Sequence, residues 1–156
     1  MKFFITLLIL LGLFINLNSV HAASSGGNTG SSLYNSGKKL IIKAKKMEEK
    51  NKIAKAESLY LKAIDKLEKA YAKDKKNADI LNYLGYSLRK TGNLEKAEAF
   101  YLKGLKLDAG HLGINEYLGE LYVQTGRIEL AKERLKVLKG CKCEEYDELK
   151  ELIEKN

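Results

Sequence analysis

The sequence predicts an all-α fold, an α–α superhelix of about three helix-turn-helix repeats closed by a C-terminal capping helix. Three observations carry that prediction. First, a block recurs at a shift of 34 residues: Tyr83-Leu84-Gly85 returns as Tyr117-Leu118-Gly119, Thr91-Gly92 as Thr125-Gly126, and Ala97 as Ala131. A fixed period of this length marks stacked supersecondary units. Second, the apolar residues within each block fall three and four apart, the spacing of one helix face. Third, the 156 residues contain no proline, so the commonest breaker of helices is missing.

The elements follow in order. Lys2 precedes an apolar run from Phe3 to Ile15, interrupted by Thr6 and Gly12, and Val20 and Ala22 are small residues two apart. Charge, apolar core and small residues in that order read as a secretory signal peptide over 1–22, cleaved after Ala22. An uncleaved anchor is the competing reading, because Phe3 to Val20 approaches the length of a span. Cleavage would leave no integral membrane span and place the chain in a periplasm or outside the cell. Residues 23–36, ASSGGNTGSSLYNS, have little to bury and are expected to form a flexible linker rich in Gly, Ser and Asn.

The helical repeat domain is expected over 37–156. Its first unit, about 37–77, is stretched: Lys55 to Ala63 mirrors Lys96 to Gly104 at a shift of 41, seven more than the period. Seven residues are about two helical turns, so the second helix should run from about Ala54 to Lys73. Its first helix is expected from about Lys38 to Lys50, with Leu40, Ile41, Ala44 and Met47 inward. Asn51 stands where the other units have a turn glycine and tolerates the left-handed conformation. The second unit, about 78–111, carries stripes Leu81, Leu84, Gly85, Leu88 and Ala97, Tyr101, Gly104, Leu105, with Gly92 in the turn between them. The third covers about 112–140. Tyr146, Leu149, Leu152 and Ile153 then mark a capping helix, about 144–155, whose remaining residues are mostly acidic.

These residues resemble the tetratricopeptide repeat, and the chain is similar to a small exported bacterial protein of that family. Leu84-Gly85 and Leu118-Gly119 match its Leu-Gly pair, Gly92 and Gly126 its turn glycine, Ala97 and Ala131 its alanine, and Tyr101 its second-helix aromatic. The chain departs from the pattern at Leu81 and Asn115, at Ala109 in place of the terminal proline, and at Leu135 and Leu138. Stacked helix pairs curve around a concave face that binds extended or helical peptides. Helical phase points Asn82, Tyr86 and Arg89 into that groove, followed by Glu116, Glu120 and Val123, with Ile41 and Lys45 from the first unit. The expected function is an exported scaffold or adaptor that binds a peptide or helix of a protein partner.

Catalysis lacks its parts. There is no Ser-His-Asp set, HExxH, P-loop or GxGxxG, so no enzyme activity, cofactor or metal site is expected. Cys141-Lys142-Cys143 leaves three readings open: a local disulfide, a redox or intermolecular thiol pair, or a Cu(I) site. The alternative function is therefore a thiol-redox or Cu(I)-handling accessory factor. The net charge of +8 is unevenly placed, since residues 37–76 hold 14 lysines against six acids. That segment is a candidate contact for an anionic surface. Export and the absence of arginine there argue against nucleic acid.

Overall fold

The 34-residue period reappears in space as helical hairpins stacked one on the next. A computed structural model describes residues 26–156; the signal peptide and cleavage site expected over 1–22, and the first residues of the expected linker, lie outside them. The elements are α1 (Gly26–Glu48), α2 (Ile53–Lys73), α3 (Ala78–Lys90), α4 (Leu94–Leu107), α5 (Leu112–Gln124), α6 (Ile128–Leu138) and α7 (Glu144–Glu154). Among the described residues no strand occurs, and no helix is long and apolar enough to cross a membrane. The all-α superhelix with a closing helix is the architecture observed.

One expectation fails. The linker expected over 23–36 is helical from Gly26 onward, and α1 starts about three turns before Lys38. The cause is the stretched α2. Two extra turns at its C-terminal end need a partner, and an antiparallel partner can only supply one by growing at its N-terminal end. Leu33 and Tyr34 accordingly pack on the core, and Tyr34 meets Tyr83 with ring centroids 5.9 Å apart. Gly37 is buried against Leu67 so closely that a Cβ would come within 2.6 Å of the leucine Cγ. Packing here overrides the weak helix propensity of glycine and serine.

Turn chemistry sets the boundaries. Asn51 takes a φ of 55°, and Gly92 and Gly126 take 81° and 73°. The Thr91 hydroxyl donates to the Ser87 carbonyl, and Thr125 repeats that contact on Leu121, so both first helices end alike. Asn77 caps α3 by accepting from the Ile80 N–H at 3.2 Å. Thirty-four residues later, His111 Nδ1 caps α5 by accepting from Ile114 N–H, also at 3.2 Å, while its Nε2 faces Asp79 at 3.3 Å. Each cap satisfies a helix N–H that has no partner within the helix.

Close packing explains the small residues. A Cβ on Gly85 would lie 2.4 Å from the ring of Tyr101, which is fully buried. Leu135 stands at the Tyr101 position of the last unit, and the space over Gly119 is taken by Leu149 of α7 instead. Asn115, the polar departure from the repeat, is buried and satisfied. It donates to the carbonyls of Ala109 and His111 and accepts from Arg134. Tyr60, Leu67, Ile80 and Leu84 anchor one core cluster, and Tyr101, Ile114, Leu118 and Leu121 the next.

Candidate functional site

The first helices α1, α3 and α5, joined by α7, present one face of tyrosines edged by charge. Tyr86 of α3 and Tyr117 of α5 pack with ring centroids 4.8 Å apart, and Tyr60 of α2 meets Tyr86 at 5.9 Å. Lys45 of α1 holds its ammonium 4.9 Å from the centre of Tyr86 and 5.8 Å from that of Tyr117. Arg89 lies 5.6 Å and 6.0 Å from the same two rings. Tyrosine faces attract such cations, and the attraction strengthens as water is removed. Burial pushes the Tyr86 hydroxyl up to about 12 and raises Tyr60 and Tyr117 as well, so all three stay neutral donors near pH 7.

The charges are paired on one side and massed on the other. Arg89 pairs with Glu120 across α3 and α5. Glu48 pairs with Lys90 at 2.8 Å and accepts from the Tyr60 hydroxyl at 3.0 Å, which ties the end of α1 to α2 and α3. Toward α7 the face becomes acidic. Glu116, Glu120 and Glu148 bring carboxylate oxygens within 4.8 Å of one another. Glu116 is only 3% exposed, and burial, reinforced by Glu148, Glu120 and Glu145, pushes its carboxyl up to about 9.

The structure distributes the sequence-predicted residues unevenly. Lys45, Tyr86, Arg89, Glu116 and Glu120 come together on this face. Asn82 is buried beside it, in a cavity of about 440 Å³ shared with Tyr83, Glu116, Tyr117 and Glu145. Ile41 and Val123 do not line the face. Ile41, 2% exposed, is buried in the first core cluster with Ala44, Ala56 and Tyr60, and Val123, 8% exposed, in the second. Tyr117 and Glu148 were missed. Tyr117 sits three residues before Glu120, one turn away on the same stripe, so its phase was available. Glu148 belongs to a helix whose acidic residues suggested only a solvated cap.

Cys141 and Cys143 are joined as a disulfide at the α6–α7 junction, with Lys142 between them in the left-handed region at φ 51°. An oxidised pair offers no thiolate to copper.

Residues 54–111 match a family model for the tetratricopeptide repeat. No curated protein matches the chain in sequence. Solved structures share the fold at low identity. The type III secretion translocator chaperone SycD of Yersinia enterocolitica is 17% identical, with a TM-score of 0.61 over 83% of this chain and 91% of that one. SycD in complex with a peptide of the translocator YopD is similar at 18% identity, with a TM-score of 0.58 over 82% of this chain and 88% of that one. The second TPR domain of human RPAP3, in complex with the HSP70 peptide SGPTIEEVD, is 18% identical, with a TM-score of 0.54 over 81% and 99%. With the period, the turn glycines and the Gly85–Tyr101 contact all in place, residues 54–111 match the tetratricopeptide-repeat model and the helices share the fold of these solved structures.

Proposed function

We propose that this chain is a protein-interaction module, not an enzyme, and that it takes a peptide or a single helix of a partner onto the face built by Lys45, Tyr86, Arg89 and Tyr117. The observation that carries the reading is the Tyr86–Tyr117 floor with Lys45 above it. Tyrosines in contact offer broad, rigid area with polar tips, the chemistry of binding hot spots. That two of the similar structures hold peptides supports it. Partner recovery on immobilised full chain tests it. Lys45→Glu with Tyr117→Ala should reduce recovery about tenfold while leaving the helical circular dichroism unchanged. Recovery equal to wild type would remove this face from the account.

The same proposal places the protein outside the cytosol. It rests on the signal-like order of residues 2–22 and is in keeping with a disulfide at Cys141–Cys143. Fractionation of cells producing the full chain tests it, and a product retained in the cytosol would count against it. Lys39, Lys43, Lys46, Lys50, Lys52 and Lys55 are exposed on α1, α2 and their connecting turn, without an ion pair among the described residues. They support the anionic-surface contact, which cosedimentation with anionic vesicles at rising salt would read.

A further inference from the structure

We infer that the first hairpin carries a second docking surface, a groove between α1 and α2 that takes an amphipathic helix of a protein partner, its apolar stripe flanked by acidic residues. The groove shares no residue with the tyrosine face. The inference rests on the anionic contact assigned to the lysines of residues 37–76 and names a protein helix as its source.

The repeat shows what belongs in this place. Leu81 and Phe100 stand 41 residues after Leu40 and Leu59, the same offset that relates the turn residues Asn51 and Gly92. In the second unit this flank is covered from the preceding helix. α2 packs on α3, its Tyr71 meets Phe100 of α4 with ring centroids 6.1 Å apart, and its Ile64 reaches the second core cluster. Leu81 is fully buried there. In the first unit, α1 and α2 pack only on each other and on α3 among the described residues. Leu40 is accordingly half-buried, and with Ala54 and Leu61 it floors an open groove of about 770 Å³. The chain fills the equivalent place with a helix that lays an apolar stripe across it, so a helix is the shape this groove is built to take.

Charge selects the kind of helix. Lys62 and Lys66 line the groove, and exposed Lys43 follows Leu40 by one turn of α1. Of the two acids in the lining, Asp65 is engaged by Lys69 at 2.7 Å and faces Lys66 at 3.9 Å, which leaves Glu57 alone against the lysines. The surrounding residues 37–76 hold 14 lysines against six acids. Acidic flanks meet opposite charge here, and basic flanks meet their own sign. Two nearer occupants lack this match. Residues 1–25 contain no acid at all. A second copy brings the same positive first hairpin, and its acidic α7 has the apolar side turned inward, with Leu149 fully buried over Gly119.

The test titrates the full chain with synthetic helical peptides of about five turns that share one leucine stripe and carry glutamate, glutamine or lysine on its flanks. A scrambled glutamate peptide of the same composition is the control. The glutamate peptide should bind about tenfold tighter than the glutamine peptide and the scrambled control, with the lysine peptide weakest, and added salt should narrow the gap over glutamine. Leu61→Glu, at an exposed position, should abolish binding with the helical circular dichroism unchanged. Lys62→Glu with Lys66→Glu should erase the preference for glutamate over glutamine. Equal binding of the scrambled peptide, or no effect of Leu61→Glu, overturns the groove. Salt-sensitive binding to anionic vesicles without binding of any peptide overturns the inference and leaves the anionic contact; loss of both overturns that contact too. A photo-crosslinker in place of Leu61 reads the occupant directly. Capture of the glutamate peptide supports the inference, whereas a cross-link to residues 1–25 of the same chain or to a second copy gives the groove to that occupant and overturns it.

Discussion

Replacing Glu116 by glutamine should make the protein more stable, and more so as pH rises. The neutral amide keeps the shape of the side chain and cannot ionise. The wild-type carboxyl ionises near its ordinary 4.5 when unfolded and near 9 when folded, because burial and then Glu148, Glu120 and Glu145 oppose the charge. Its folded value is raised, so the stability linked to it is complete below about pH 4.5 and is lost progressively as pH climbs to about 9. At about 1.4 kcal/mol per pH unit, the interval sets a ceiling of about 6 kcal/mol. Water at exposed Glu148 and half-buried Glu120 screens most of that, and about 1–2 kcal/mol is expected. Thermal unfolding from pH 5 to pH 9 reads the effect. The two proteins should melt together at pH 5, and the variant should lead by about 4–8 °C at pH 8–9. Parallel curves across that range, or a wild-type advantage that grows with pH, would refute the reasoning.

Other substitutions separate the causes of packing and turn geometry. Gly85→Ala should cost about 1–3 kcal/mol in denaturant titration, since its Cβ would stand 2.4 Å from the fully buried Tyr101 ring. Gly92→Ala has open space around it but a φ of 81°, so it should cost about 1 kcal/mol through conformation alone. Leu149→Ala should cost about 2–4 kcal/mol and speed hydrogen exchange in α5, because it uncovers Gly119. Replacing Cys141 and Cys143 by serine opens a loop with one intervening residue and should cost no more than about 1.5 kcal/mol; a larger loss would mean that the fold depends on the bond.

What the sequence made legible is whatever a residue does to its own stretch of chain. Gly92 and Gly126 turn the backbone at their own positions, and Ala97 and Gly85 mark contacts within one hairpin, so periodicity alone locates them. What it hid depends on a second element. The Gly- and Ser-rich residues 26–36 look like a tether until α2 is seen to need a partner of its own length. Ile41 has the phase of a groove residue and is nevertheless buried in the first core cluster. Glu148 has the composition of a solvated cap, and only the docking of α7 on Gly119 through Leu149 carries it to the face. The repeat also separates structure from recognition. Gly85 and Gly119 occupy one repeat position and stay the same, because both let a neighbouring side chain in. Asn82 and Glu116 occupy another and differ: both are buried, but Asn82 leaves its Oδ1 without a donor among the described residues, whereas Glu116 is tied to Glu148 of the closing helix.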